Sequence, residues 1–320
     1  MPSTSPPSNP TVLMPAPMHE VVMEGCAERF ELLRLWEAAD PDALLTERGR
    51  DVLAIATGGQ RRVDAALLDR LPNVQIVANF GVGYDSVDVD AAAERGVVVT
   101  NTPGVLDDEV ADTAMGLLLT TVRELNRAEQ YLRTGKWPTE GPYPLTRSTM
   151  AGRRVGILGL GRIGEAIARR AEVFGMTVGY HNRNEKDVPY RYYPTLLEMA
   201  RDVDTLVVVV PGGAATHHLV DAEVLAALGP DGILVNVGRG TVVDEAALVE
   251  ALRNGTIQAA GLDVYENEPQ VPQELIDLEN TVLLPHVGSA SIPTRRAMGR
   301  LVLDNLTSWF EKGKALTPVN

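Results

Sequence analysis

The sequence predicts an α/β protein of two doubly wound domains, each built on its own parallel sheet. Three observations carry this. Short apolar, β-branched runs alternate with helix-spaced stretches through both halves of the chain, which implies parallel strands covered on both faces. The run Leu206–Val210 is apolar at every position, as a strand buried on both sides must be. The 320 residues exceed one ordinary core and suit two.

In chain order, Met1–Pro10 is a Pro/Ser-rich stretch expected to be a disordered tail. It has neither a basic segment nor an apolar one, so it is not a secretory signal. Thr11–Pro15, Asp51–Ala56, Val74–Phe80 and Val97–Asn101 read as strands bounded by Gly, Pro or Asn. Met23–Ala39, Ala65–Arg70 and Val89–Arg95 read as the helices between them. Asp107–Arg133 is expected to be one long helix ending near Gly135, followed by a Pro/Gly-rich loop at Trp137–Leu145. A second strand series follows at Val155–Leu158, Met176–Tyr180, Thr205–Val210, Ile233–Val237, Gln258–Leu262 and Val282–Leu284. Helices at Gly164–Phe174, Glu223–Leu228 and Glu245–Arg253 lie among them, and a last helix at Pro293–Glu311 is placed to cross back to the first domain.

Charge and composition narrow the function. A formal charge of −14 argues against nucleic acid or an anionic membrane as partner. The arginine pairs Arg61-Arg62, Arg153-Arg154, Arg169-Arg170 and Arg295-Arg296 are scattered and read as solvated faces. Cys26 is the only cysteine, which excludes an intramolecular disulfide and a cysteine metal site and fits a reducing compartment. No apolar run reaches the ~18 residues a membrane helix needs. A cytoplasmic enzyme is the expectation. His217-His218 are adjacent and do not converge on one ion, so they read as solvated and no metal is expected.

Chemistry begins at Gly159-Leu160-Gly161-Arg162-Ile163-Gly164, after a strand and at the start of a helix. Gly159 makes the tight turn, Gly161 lets backbone approach a pyrophosphate, and Gly164 lets helix and strand pack closely. With Arg162 and Ile163 this is a dinucleotide-binding Rossmann loop, its helix N-terminus offering N–H groups to the diphosphate. About 20 residues on, an acidic residue would take a ribose 2′-hydroxyl. This chain has Asn182-Arg183-Asn184 there and no carboxylate before Glu185. Arg183 suits a 2′-phosphate, so NADPH is the expected cofactor, with NADH possible.

Taken together, Asn79-Phe80-Gly81-Val82-Gly83-Tyr84-Asp85, Asn101-Thr102-Pro103-Gly104, the glycine loop, Asn236-Val237-Gly238-Arg239-Gly240, Gly261–Pro269 and Leu284–Ser289 resemble the D-isomer-specific 2-hydroxyacid dehydrogenases. The stretches 101–112 and 210–213 are similar to the glyoxylate/hydroxypyruvate reductase branch, which generally prefers NADPH. The resemblance implies a Rossmann nucleotide domain, residues 105–289, inserted into a flavodoxin-like substrate-binding domain, residues 1–104 and 290–320. It implies a homodimer and a small 2-keto or 2-hydroxy acid as substrate.

Reducing such an acid requires a cation for the carboxylate, a proton donor for the carbonyl oxygen, and a carboxylate partner for that donor. Arg239 at a strand end suits the first, since a guanidinium grips a carboxylate through two parallel bonds. His286 suits the second, an imidazole able to give or take a proton near neutral pH. Among Asp263, Glu266 and Glu268, the resemblance assigns the third role to Glu268 and leaves Glu266 solvated. It also implies substrate contacts at Val82, Gly83 and Trp137, the last reaching a partner subunit or packing in an interface. Cofactor contacts are implied at Pro211, Thr216, Val237, Asp263, His286 and Gly288, with Asp263 toward the nicotinamide carboxamide. The activity expected is reduction of glyoxylate, hydroxypyruvate or a longer acid such as 2-ketogluconate to the D-2-hydroxy acid. The alternatives are a phosphite dehydrogenase and an NAD(H)-sensing corepressor-like binding protein of the same fold.

Overall fold

A computed structural model describes residues 9–320, so the expected tail lies, as far as Ser8, outside the described residues. Pro10 belongs to the fold rather than to a tail: it is buried, and its carbonyl accepts the Glu31 N–H at 3.1 Å. The chain forms two compact units, Met1–Leu106 together with Ser291–Asn320, and Asp107–Ala290.

In the first unit the strands are β1 Thr11–Met14, β2 Glu31–Arg34, β3 Val52–Thr57, β4 Ile76–Asn79 and β5 Val98–Thr100. They form one sheet in the order β2-β1-β3-β4-β5, every pair parallel. This is the flavodoxin-like order. Successive residues point to opposite faces. Leu13, Ile55, Val77 and Val99 enter one core, while Val12, Ala54, Ile76 and Ala78 enter another. The helix Ile292–Lys312 closes the second core through Val302, Leu303 and Leu306. It packs on the helix Glu20–Arg29 at Gly25, where a Cβ would stand 2.3 Å from Leu303 Cδ1. The C-terminus then runs beside β5, with the Val319 N–H donating to Val99 O at 2.8 Å.

The second unit holds β6 Arg154–Leu158, β7 Thr177–His181, β8 Arg191–Tyr192, β9 Thr205–Val208, β10 Ile233–Asn236, β11 Ala259–Leu262 and β12 Thr281–Leu283. The sheet runs β12-β11-β10-β9-β6-β7-β8, again all parallel. Strand order reverses between β6 and β9, the switch point outside which α/β sheets bind ligands. β9, β10 and β11 are buried at every residue, as their apolar runs require. The helix Asp107–Arg123 lies on β10 and β11, admitted by Gly261, whose Cβ would meet Thr121 Oγ1 at 2.8 Å.

Several expectations are corrected. Met23–Ala39 is not one helix. It splits into the helix Glu20–Arg29, strand β2 and a 3₁₀ turn Leu35–Glu37. Pairing of β2 with β1 outweighs the local helical preference of Glu31-Leu32-Leu33-Arg34. Asp107–Arg133 breaks at Glu124, whose φ of 50° and ψ of 37° are left-handed, into Asp107–Arg123 and Leu125–Arg133. The loop at Trp137–Leu145 begins as a helical turn, Lys136–Glu140, bounded by Gly135 and Gly141 at positive φ. Nor are all the arginine pairs solvated. Arg153 is buried and donates to Thr205 Oγ1 at 2.7 Å and to the carbonyls of Asp204 and Asp231. Arg170 ties Asp112 and Asp108 to its own helix at 2.6 and 3.0 Å. Arg295 lies over the Phe80 ring, 5.8 Å from its centroid.

Candidate active site

Five segments of the second unit, after β6, β7, β10, β11 and β12, lie at the carboxyl edge of its sheet and carry the expected chemistry. The first is the glycine loop after β6. Gly159 has φ 102°, and a Cβ there would lie 2.7 Å from Val210 Cγ1. A Cβ on Gly164 would lie 2.4 Å from Gly159 O, so both glycines are required by packing. Gly161 differs. A Cβ there would meet no protein atom, so packing does not require this glycine and open space lies beside it. Gly161 caps the helix Arg162–Val173 without a side-chain bond, and the first helical bond is Glu165 N–H to Gly161 O at 2.8 Å. The N–H groups of Arg162, Ile163 and Gly164 therefore precede the helical ladder, as an anion site needs.

Beside this loop, Asn182 at the end of β7 accepts the Leu160 N–H at 2.7 Å and so braces the glycine turn. Arg183 and Asn184 are exposed. Lys186, which sequence reasoning did not single out, donates to Leu160 O at 3.0 Å and pairs with Glu165. Thr216 ties its own turn through Pro211 O at 2.8 Å. Val237 is 8% exposed just beyond β10.

The turn after β10 carries Arg239. Asn236 closes it, its Oδ1 accepting the Gly238 N–H at 3.0 Å and its Nδ2 donating to Arg239 O at 2.9 Å. The Arg239 guanidinium donates to Gly238 O at 2.8 Å. After β11, Asp263 is 1% exposed, and its oxygens accept the N–H groups of Val287 and Gly288 at 2.7 and 2.8 Å. Its carbonyl accepts the His286 N–H at 2.9 Å. Asp263 thus clamps the His286 loop on three amides. Burial pushes its carboxyl above the ordinary range, against those amides and the His286 charge.

His286 Nδ1 lies 2.6 Å from Glu268 Oε2. Glu268 Oε1 accepts the Tyr265 N–H at 3.1 Å, and the Tyr265 hydroxyl donates to Leu284 O at 3.0 Å. Burial works upward on the Glu268 carboxyl. The His286 bond and charge, the Tyr265 N–H and Arg239 outweigh it, and the group ends below its ordinary 4.5. With Nδ1 engaged, Nε2 is the ring nitrogen left for proton exchange with a ligand, at a side chain 47% exposed.

In the first unit, the loop after β4 is held by its carbonyls. Asn79 Nδ2 donates to Gly83 O and Asn101 Nδ2 to Val82 O, both at 2.9 Å. The bond to Val82 O fixes the peptide plane that carries the Gly83 N–H, and Gly81 O, which accepts the Thr102 N–H at 2.9 Å, fixes the plane that carries the Val82 N–H. Trp137 is 59% exposed on its helical turn.

Known proteins resemble this chain over nearly its whole length. The profile described as D-isomer specific 2-hydroxyacid dehydrogenase, NAD binding domain, matches residues 115–288. A glyoxylate/hydroxypyruvate reductase A of Arabidopsis thaliana is 46% identical over 96% of this chain and 98% of its own. The chain belongs to the D-isomer-specific 2-hydroxyacid dehydrogenase family. Within that family, a hydroxyphenylpyruvate reductase of Plectranthus scutellarioides is 45% identical over 96% of this chain and 98% of its own. The crystal structure of an NADPH-dependent glyoxylate/hydroxypyruvate reductase of Sinorhizobium meliloti, in complex with NADP and malonate, is 56% identical. It covers 98% of this chain and 97% of its own, at a TM-score of 0.93.

Two side chains of this 2-hydroxyacid dehydrogenase depart from the sequence reading. Glu266 is not solvated: it is bonded to His218 Nε2, so His218 is not a solvated residue either. His217 is exposed and stacks on His218 at 3.9 Å between centroids. Among the described residues no cluster of three His, Cys, Asp or Glu could hold a metal, and no helix is long and apolar enough to cross a membrane.

Proposed function

We propose that this protein reduces a small 2-keto acid to the D-2-hydroxy acid with NADPH, taking glyoxylate or hydroxypyruvate first and 2-ketogluconate as a longer candidate. The observation that carries the reading is the Glu268–His286 bond at 2.6 Å, which leaves one imidazole nitrogen to exchange a proton. The open space beside Gly161 and the exposed Arg183 support NADPH as cofactor, as does the NADPH-dependent Sinorhizobium reductase at 56% identity.

The bound dihydronicotinamide supplies a hydride for the keto carbon. The first turn at Arg162, Ile163 and Gly164 binds the diphosphate, and Arg183 with Asn182 and Asn184 binds the ribose phosphate. Pro211, Thr216, Val237, Asp263 and Gly288 are assigned to the rest of the cofactor. Arg239 binds the substrate carboxylate through two parallel bonds and so orients the carbonyl, with the N–H groups of Val82 and Gly83 assigned to the same carboxylate. His286 Nε2 gives its proton to the carbonyl oxygen as that oxygen gains charge. Glu268 keeps the ring oriented and offsets its charge. The reading includes a cytoplasmic homodimer in which Trp137 reaches a second copy. Exposed Leu125, Leu132 and Trp137 support a subunit interface, and the buried thiol of Cys26 suits a reducing compartment.

Initial rates over a panel of 2-keto acids with NADPH and NADH test this. NADPH is expected to lead NADH by at least about tenfold in kcat/KM, equivalent to ~1.4 kcal/mol from the 2′-phosphate. Arg183→Ala is expected to weaken NADPH and spare NADH; equal loss of both would take the phosphate away from Arg183. No turnover with any 2-keto acid, alongside tight NAD(H) binding, would favour a sensor over an enzyme.

A further inference from the structure

The tandem histidines at 217 and 218 have separate fates. His218 is half-buried and holds φ at 52°, a left-handed conformation uncommon outside glycine. Two bonds hold the residue there. The His218 N–H donates to Thr241 O at 2.9 Å, in the turn that follows Arg239. Its Nε2 is bonded to Glu266 Oε1, in the loop that carries Glu268. The same turn and loop meet again at Gly240, where a Cβ would stand 1.8 Å from the Tyr265 carbonyl carbon. The Glu266 N–H is taken in turn by Glu245 Oε1 at 2.8 Å.

Two carboxylate–imidazole pairs therefore share one short loop. Glu268 holds His286, and Glu266, two residues earlier, holds His218. In the second pair Nε2 is bonded to Glu266, and Nδ1 lies 3.9 Å from Asp244 Oδ2. Its position joins the segment of the substrate cation to the segment of the proton-transfer pair.

We propose that His218 is a positioning residue of the reaction: with Glu266 it fixes the Tyr265–Glu268 loop against the Arg239 turn, so that Arg239 and the Glu268–His286 pair keep one geometry. This rests on the catalytic roles assigned to those three residues. A displacement of ~1 Å at such a site can lower turnover by about 10²-fold.

The test compares His218→Ala, His218→Gln and Glu268→Gln, singly and as the double variant H218A/E268Q, with glyoxylate and NADPH. H218A is expected to lose at least about tenfold in kcat while the NADPH Kd stays within about twofold. H218Q, whose amide can still donate to Glu266, is expected to recover most of that loss. The double variant is expected to be about as slow as E268Q alone, because residues acting as one unit are not additive. A kcat for H218A within about twofold of the parent, or losses that multiply in the double variant, would overturn the proposal. If H218A does not fold, Glu266→Ala removes the same bond from its other end and is held to the same outcomes. A readout without substrate separates this proposal from the assigned activity. The downfield Nδ1–H resonance of His286, identified by its loss in E268Q, should fade in H218A and return in H218Q. An inactive parent would sink the assigned activity. An unchanged resonance in H218A would sink the positioning role alone.

Discussion

At His286 the proposed proton donation rests on one ring nitrogen, because Nδ1 is committed to Glu268 at 2.6 Å. His286→Ala is expected to lower kcat by about 10²–10⁴-fold while NADPH still binds, which stopped-flow rates and cofactor fluorescence would read separately. Arg239→Lys is expected to act mostly on kcat/KM, since an ammonium cannot reproduce the two-point grip of a guanidinium; an unchanged kcat/KM would remove Arg239 from the carboxylate. The Glu268 carboxyl sits below its ordinary 4.5, so the pairing it makes is present above that range and is lost as pH falls through the lowered value. As far as this group is concerned, the parent's kcat should therefore decline on the acid side only at a pH below that at which an ordinary glutamate titrates. Glu268→Gln, with nothing to titrate, should be slower and lack that decline. The same acid limb in the Gln variant would assign it elsewhere. These three residues were legible in the sequence because the chemistry asks for their types and each stands in a recognisable motif. His218 was not: its partner Glu266 is 48 positions away, and no local pattern pairs them.

Among the elements, the strand ends do most of the positioning. β6, β7, β10 and β11 deliver the glycine loop, Asn182, Arg239 and Asp263 to one edge of a parallel sheet, which requires only that the strands stay in register. The turn Gly238–Val242 and the loop Val264–Glu268 then settle against each other at Gly240. Gly240→Ala would drive a Cβ to within 1.8 Å of the Tyr265 carbonyl carbon, a clash with backbone that no rotamer relieves. A loss of about 3 kcal/mol in unfolding free energy is expected from such overpacking, together with a fall in kcat. Denaturant titration showing parental stability would mean the loop moves without cost. Alternation of apolar runs made most strands readable, and β2 escaped because Glu31-Leu32-Leu33-Arg34 lacks alternation and is helix-prone by itself. Its strand state comes from pairing with β1, a neighbour 20 positions back at Thr11↔Glu31.

At the scale of the molecule, each of two units has its own sheet and its own cores. The helix Leu125–Arg133 has no buried residue, and Leu125, Leu132, Trp137 and Leu145 are exposed by 43%, 54%, 59% and 99%. Contiguous exposed apolar groups mark association surfaces. Sedimentation velocity is expected to give a dimer, and Leu132→Glu with Trp137→Glu to shift it toward monomer. A parent that sediments as an active monomer would remove both the interface and the role of Trp137 across it.

The sequence by itself determined the family, the two parallel-sheet architecture, the glycine loop and the types of residue proposed to move the proton and hold the acid. These follow from local rules: period-two burial, glycine where backbone must turn or approach, and functional groups set in short motifs. Tertiary structure alone decided how those groups are braced. It turned Asp263 into a clamp on the His286 loop, buried Arg153 against Thr205, broke the long helix at Glu124 and joined His218 to Glu266. Each of these bonds joins residues far apart in the chain, and a single sequence does not say which distant residues will meet.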